Sequence, residues 1–297
     1  MSIENRPLVS VVIPTYNHAW CLGRAIQSVI DQTYKNWEII IVDNNSTDNT
    51  SEIILNFTKE HITHLKIKNN GIIAKSRNKG IKSSRGEWIA FLDSDDWWEP
   101  YKLECLFERN LKDVDFSYHG LNINNESNRH MWRKKIKTRK LKHPIFNDLL
   151  LYGNPIGNSS VVVRKKIIEE IGYINSSEKM IACEDYNTWL KISKITNNFL
   201  FISEPLGHYS IHPQSASQKN MSTSEYEAIF EFLKLESNTI KSLLIANIRY
   251  ISGAYNCKIN NYIHARNDLV FVIFKGRYIL KLKAMLLLLK LIFKKIF

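Results

Sequence analysis

Strand–helix alternation over the first hundred residues predicts an α/β fold, a doubly wound and mostly parallel sheet flanked by helices, with a helical C-terminal extension. Three observations carry this. Short apolar runs recur at 8–13 (LVSVVI), 38–42 (EIIIV) and 87–92 (EWIAFL), as in strands buried on both faces. Apolar residues between the runs fall at spacings of three and four, as on one helix face. Each run also ends in polar residues: Thr15–Asn17, Asp43–Asn45 and Asp93–Asp96. Open α/β sheets bind ligands at the carboxyl ends of their strands, so three strands deliver polar groups to one rim.

Taken in order, Pro14 closes the first strand, and a helix follows with Leu22, Ala25, Ile26, Val29 and Ile30 on its inner face. The second strand ends at Asp43. NNSTDNTS then leads into a helix carrying Ile53, Ile54 and Phe57, and a weaker strand is placed at 65–68. The next helix holds Ala74, Arg77 and Ile81 and stops at Gly86, before the strand that ends at Asp93. The middle is less regular: a strand near 159–163, a helix over 164–171, another opening at Glu184-Asp185, and a last strand at 199–203. From about 222 onward the pattern is helical, so residues 1–220 are read as one α/β domain and 221–297 as a helical region.

Composition narrows the class. With 41 lysines and arginines against 29 acids the net charge is +12, a surface that favours polyanions, nucleotides or an anionic membrane face. The four cysteines form no CxxC pair and read as reduced thiols of a cytosolic protein. The N-terminus lacks the basic region of a secretory signal. No GxGxxG follows the first strand and no P-loop is present, which disfavours a dehydrogenase or a P-loop enzyme.

Asp93-Ser94-Asp95-Asp96 is the sharpest local feature. Carboxylates crowded at a strand end repel one another, and a hard divalent cation, Mn²⁺ or Mg²⁺, relieves that repulsion. The competing reading is an acidic loop capping a helix that starts near Glu99-Pro100, and the tetrapeptide alone does not choose between them.

The wider context resembles one family. VSVVIPTYNHAWCLGRAIQSVIDQTYKNWEIIIVDNNSTDNT, NNGIIAKSRNKGIKSSRGEWIAFLDSDDWWEP, CEDYNTWLKI and HYSIHPQSAS, in this order over about 7–215, are similar to the inverting glycosyltransferases of the GT-A fold, glycosyltransferase family two. The resemblance implies a UDP-sugar donor bordered by Pro14, Thr15, Tyr16 and Asn17, with Asp43 on the base. Arg77 and Asn78 then lie near base and diphosphate. Asp93, Ser94 and Asp95 form the DxD segment, with Asp95 on the metal and Asp93 on ribose or metal-bound water. His212 is placed to close over the diphosphate and touch the metal, and Asp185 to act as general base with Glu184 as its neighbour. A helix start would favour an ionised Asp185. Trp97 and Trp98 either border the acceptor or pack as core.

Two basic stretches remain. Residues 131–143 hold seven lysines and arginines and no acid, either a phosphate- or lipid-facing patch or a solvated loop. Residues 262–297 carry eight against the single acid Asp268, and the uncharged run Ala284–Leu289 is far shorter than the ~20 residues that span a bilayer. A basic amphipathic helix on the inner face of the cytoplasmic membrane is expected. Family analogy adds a lipid-linked, undecaprenyl-diphosphate saccharide acceptor in O-antigen or capsule assembly. The rivals are a nucleotidyltransferase, a non-catalytic relative and a nucleic-acid-binding protein. The first lacks its Gly-rich loop in PTYNHAW, the second is opposed by the intact DxD and Asp185, and the third has no binding motif, so no nucleic-acid partner is expected.

Overall fold

A computed structural model describes residues 6–57, 61–109, 111–125, 136, 138–212, 219–234 and 236–296. It divides into two compact units: Met1–Ile145 with Pro155–Ser176 and Lys191–His212, and Phe146–Asn154 with Ser177–Leu190 and Pro213–Phe297.

The first unit is built on one eight-stranded sheet. Its strands are β1 (Val9–Thr15), β2 (Trp37–Asp43), β3 (Ile62–Lys66), β4 (Trp88–Phe91), β5 (Trp97–Trp98), β6 (Phe116–Asn125), β7 (Val162–Arg164) and β8 (Phe199–Ile211), in the spatial order β3-β2-β1-β4-β7-β6-β8-β5. The first four run parallel, with Thr15 opposite Asp43, so β1 and β2 reach the rim together. β7 runs antiparallel to both β4 and β6, β6 runs parallel to β8, and β5 is antiparallel to β8. The apolar runs of β1 and β2 are buried along their whole length, as parallel strands covered on both faces must be. Helices α1 (Ala19–Ile30), α2 (Thr50–Leu55), α3 (Ile73–Ser83), α4 (Lys102–Phe107) and α6 (Lys165–Glu170) complete this unit. The inner face of α1, Leu22, Ala25, Ile26 and Val29, packs into one core with Val11, Ile39, Trp88 and Leu103.

Several elements differ from the sequence reading: β8 runs Phe199–Ile211 instead of ending at 203, and β5 and the helix at Ile145–Tyr152 were not anticipated. β3 lies at Ile62–Lys66 instead of 65–68, placed by its ladder to β2. Residues 158–160 form a 3₁₀ turn before β7. β6 was hidden because both its faces are buried while Ser117 and His119 interrupt the apolar run.

A fully polar knot ties the sheet to the α3–β4 turn. Buried Glu38 accepts Ser10 Oγ at 2.6 Å and the Arg85 main-chain N–H at 2.6 Å, and pairs with Arg85 Nε at 2.8 Å. Gly86 donates to Ser10 Oγ at 2.8 Å. A Cβ on Gly86 would lie 2.7 Å from the Leu8 carbonyl oxygen and 2.8 Å from Ser10 N, so only glycine lets the two backbones approach.

The second unit is helical. It holds most of α5 (Ile145–Tyr152), the first seven residues of α7 (Glu184–Ile195), and α8 (Ser222–Leu233), α9 (Asn238–Lys258), α10 (Tyr262–Lys275) and α11 (Tyr278–Ile296). α9 and α10 meet closely at Gly253, where a Cβ would come 2.9 Å from Leu269 Cγ, and Arg249 pairs with Asp268 at 2.8 Å. No helix among the described residues is long and apolar enough to cross a membrane. Glu225, in the first turn of α8, is pushed up to about 7 by burial, and its charge would also face Cys183 and Tyr186.

Two outcomes are expected. Gly86→Ala should lower the denaturation midpoint by an amount equivalent to about 1–3 kcal/mol, because backbone on both sides must shift. Glu225 ionises near the ordinary carboxylate value when unfolded but only near 7 when folded, so it removes stability as pH rises from about 4.5 to 7. Glu225→Gln should flatten that slope and gain ~1–2 kcal/mol at pH 8 in urea titrations, part of the full linkage being screened by solvent. An unchanged slope would refute the assignment.

Candidate active site

The rim begins where β1 and β2 end. Asp43 is fully buried; its Oδ1 accepts from the Ser46 N–H at 2.9 Å and from Ser46 Oγ at 2.6 Å. Its Oδ2 faces His64 Nε2 at 3.7 Å. Asp43 Oδ2, His64 Nε2 and Thr15 Oγ1 are buried without a hydrogen-bond partner among the described residues. Buried polar atoms are ordinarily paired, so this trio marks where the polar edge of a ligand would be received. Asn17 adopts the left-handed conformation (φ 52°). Its N–H donates to Ser46 Oγ at 2.9 Å and its Oδ1 accepts from the Thr47 N–H at 2.8 Å, stitching the β1 and β2 loops together. Tyr16 beside it is 52% exposed, whereas Pro14 is buried in β1 opposite Val42.

At the end of β4 every member of the acidic segment is held separately. Asp93 Oδ1 accepts from Arg77 Nη2 at 2.7 Å and Asn158 Nδ2 at 3.0 Å, while the Asp93 N–H donates to Ser159 Oγ at 3.0 Å. Ser94 Oγ lies 2.6 Å from His18 Nδ1. Asp95 Oδ2 lies 2.9 Å from His212 Nε2, and the Asp95 carbonyl accepts from Arg24 Nη2 at 3.0 Å. Asp96 is buried, with Oδ1 accepting from the Ser210 N–H at 2.9 Å.

Burial first, and the neighbouring Asp93 second, push the Asp95 carboxyl above the ordinary range. Burial, then Asp95 and Asp93, push Asp96 up further. His18 is lowered, chiefly by burial, with Asp95 opposing and His212 assisting. The segment is therefore short of positive charge despite Arg77. Among the described residues no group of three or more His, Cys, Asp or Glu side chains converges as a metal site. A cation here would take its other ligands from substrate and water, which is the usual manner for magnesium.

Several of these partners were not singled out from sequence: His18, Arg24, His64, Asn158 and Ser159. Ser159 is a hub, since its carbonyl also accepts from Trp98 Nε1 at 2.7 Å and from Lys102 Nζ at 3.1 Å. Lys102 is buried with Nζ 3.3 Å from the Trp98 ring centroid; burial lowers it and Asp96 opposes. The one sequence signal for this hub is polar NSS just ahead of an apolar strand. Trp97 resolves as packing. Arg24 lies 3.8 Å from its ring centroid and the His208 ring stacks at 4.6 Å, and two groups that close require opposite faces, leaving neither face for a sugar. The exposed indole is instead Trp20, 54% exposed and 5.5 Å from the His212 ring.

Asn78 has both ends of its amide on the main chain of Ile174, at 2.7 and 3.0 Å, and so fastens its helix to the loop before Asn175. In the second unit, Glu184 and Asp185 open α7 side by side. Glu184 is 5% exposed, while Asp185 is partly exposed. Asp185 Oδ1 accepts from the Tyr186 N–H at 2.7 Å, and Asn154 Nδ2 lies 3.4 Å from its Oδ2. Of the basic stretch 131–143, residues 131–135 and 137 lie outside the described residues, as do 213–218 of the loop after His212.

With this geometry in hand, known proteins give a consistent answer. Residues 10–172 match the family model described as Glycosyl transferase family 2. The Escherichia coli protein WfgD, named a UDP-Glc:alpha-D-GlcNAc-diphosphoundecaprenol beta-1,3-glucosyltransferase, is 34% identical over 64% of this chain and 71% of its own length. WfaP of Escherichia coli, named for the same reaction, is 32% identical over 80% of this chain and 86% of its own. Among solved structures, the mannosyltransferase PcManGT from Pyrobaculum calidifontis, in complex with GDP-Man and Mn²⁺, superposes with a TM-score of 0.62 over 99% of this chain and 82% of its own, at 17% identity, a likeness of fold. The expected α/β architecture with its helical C-terminal region is thereby matched, and the chain is a glycosyltransferase belonging to glycosyl transferase family 2.

Proposed function

We propose that this glycosyltransferase moves a hexose from a UDP-sugar onto a hydroxyl of a saccharide carried on undecaprenyl diphosphate, with inversion, in bacterial O-antigen or capsule assembly. The observation that carries the reading is the strand-end rim: unpaired buried Asp43, His64 and Thr15 atoms beside a segment of under-compensated carboxylates. That is a chemistry for a nucleobase and, through a divalent cation, for a diphosphate. The names of both E. coli relatives support the donor and acceptor classes, and UDP-glucose is the first donor to test.

In this reading Asp43, with His64 and Thr15, receives the uracil edge, and Pro14, Tyr16 and Asn17 border it. Arg77 and the Asp93–Ser94 segment hold ribose and diphosphate, and Asn78 keeps the Arg77 helix in place. Mn²⁺ or Mg²⁺ is read onto Asp95, with Asp93 and His212 as neighbours. The fit rests on the repulsion that burial and Asp93 impose on Asp95, which a cation relieves. When bound, the cation neutralises the charge that grows on the departing diphosphate.

Asp185 takes the proton of the acceptor hydroxyl as its oxygen bonds to the anomeric carbon and the carbon–oxygen bond to UDP breaks. A single displacement inverts an α-linked donor to a β-linked product, in keeping with the beta linkage in the relatives' names. Partial exposure favours Asp185 over buried Glu184 for this proton transfer. Residues 1–220 are read as the catalytic domain and 221–297 as the region that meets the inner face of the cytoplasmic membrane. α11 supports the latter with exposed Tyr278, Ile279, Leu282, Leu286 and Leu289 among lysines.

The reading is tested with a panel of nucleotide sugars, Mn²⁺ and a lipid-diphosphate-saccharide acceptor, assayed for transfer and anomeric configuration. Asp95→Ala should abolish metal-stimulated turnover. Asp185→Asn should keep donor affinity within about twofold while losing ~10²–10⁴ in kcat; normal transfer by this variant would disprove the base. Removing residues 279–297 should shift the protein from the vesicle-bound to the free fraction in flotation, and unchanged partitioning would discard the anchoring role.

A further inference from the structure

The second unit holds a cleft between α8 and α9 that the reaction as described does not use. Its volume is about 220 Å³, and Tyr226, Phe230, Leu233, Lys234, Lys241 and Ile245 line it. Four of the six are apolar or aromatic, two are cations, and none is acidic. Tyr226 and Phe230 are 36% and 42% exposed, so large apolar side chains stand open to solvent on its wall.

Of the three acids of α8, Glu225 is buried beside Cys183 and Tyr186, and the other two are engaged away from the cleft. Glu227 faces Lys179 at 3.9 Å, and Glu231 Oε1 accepts from Asn187 Nδ2 at 2.8 Å. α8 thus separates an acid-bearing side from the side that lines the cleft. Lys234 Nζ sits 5.5 Å from the Phe230 ring centroid, so one cation is held at the edge of the apolar wall. The other, Lys241, is in the first turn of the 21-residue α9, a turn without any acid, where the helix dipole adds to its positive charge. An apolar trough lined by two cations and no acid, one at the C-terminus of α8 and one in the first turn of α9, complements a hydrocarbon chain that terminates in phosphate.

We infer that this cleft seats the phosphate-proximal isoprenoid units of the lipid-linked acceptor, with Lys234 and Lys241 on its phosphates. The inference deepens the acceptor reading above and rests on it. The cleft is too small for a whole C55 chain and takes only the end that carries the headgroup. Burying a few isoprene units at roughly 25 cal/mol per Å² supplies affinity that a free sugar acceptor lacks.

The test uses the full chain under saturating UDP and Mn²⁺, so that the donor site is occupied. Binding of farnesyl diphosphate, farnesol and inorganic diphosphate is compared by calorimetry. Farnesyl diphosphate should bind the native chain at least about tenfold tighter than either fragment. Phe230→Asp and Lys234→Glu should each weaken it by about tenfold, with far-ultraviolet circular dichroism and UDP affinity unchanged. Equal binding by variants and native chain, or farnesol binding as tightly as its diphosphate, would overturn the proposal. In a second arm, the variants should lose kcat/KM on a farnesyl-diphosphate-linked acceptor while retaining it on the same saccharide with a methyl aglycone. Equal losses on both acceptors would overturn it, as would variants that lose only vesicle binding, which would make the cleft a membrane-surface contact. If the native chain transfers to neither acceptor, the acceptor reading itself fails, and the binding arm still judges the cleft.

Discussion

The rim depends on keeping three carboxylates together within four residues at the end of β4. Burial and Asp93 raise Asp95, and burial, Asp95 and Asp93 raise Asp96. The fold answers with fixed partners for each group: Arg77 and Asn158 on Asp93, His212 on Asp95, and the Ser210 N–H on Asp96. These partners come from α3, the turn before β7, and β8, which are far apart in sequence. β7 and β8 are therefore not decoration on a nucleotide-binding sheet. They are the means by which the acidic segment is held in one shape, and a segment held that way can meet a charged ligand without reorganising.

Ser159 shows how this is achieved mechanically. Its hydroxyl takes the Asp93 N–H, and its carbonyl takes two donors, Trp98 Nε1 from β5 and Lys102 Nζ from the start of α4. Lys102 brings a cation into the interior that would be expensive alone, and Asp96 and the Trp98 ring offset that cost. Arg24, Trp97, His208 and Glu99 form a second layer, guanidinium on indole on imidazole, with His208 Nε2 2.8 Å from Glu99 Oε1. Both layers end at the loop that carries Asp95.

What the sequence disclosed follows from which signals are local. β1, β2, β4 and the polar clusters after them are legible because a buried parallel strand writes itself as an unbroken apolar run. The DxD segment is legible because charge crowding is visible in four letters. β6 was not, because Ser117 and His119 break its apolar run, and its ladder partners β7 and β8 lie about forty-five and eighty residues later. His18 carried no signal, and Asn158 and Ser159 only the weak one of a polar NSS ahead of an apolar strand, for the same reason. A histidine or serine acquires meaning from what it faces, and Ser94 and Asp93 are brought to them only by the completed sheet. The Trp97-Trp98 pair shows the converse: its sequence allowed either an acceptor border or core packing, and the covered faces of Trp97 with the burial of Trp98 make it scaffold.

The two units also spend their apolar surface differently, and this bears on what each can do. The first buries its aliphatic runs completely, with Val11, Ile13, Leu22, Ile39 and Leu92 all shielded from solvent, so its free energy is committed to holding the rim. The second leaves Ile263, Phe274, Tyr278 and Ile279 each more than two-thirds exposed, on helices whose intervening charges are mostly lysine and arginine. Exposed apolar area of that extent is a cost in water and a gain at an interface. A chain that needed only soluble substrates would have no reason to tolerate it. In the proposed reading, in which the acceptor is carried on a lipid, such a surface would bring the enzyme to the two-dimensional pool where that acceptor lies, and the lysines would favour anionic lipid.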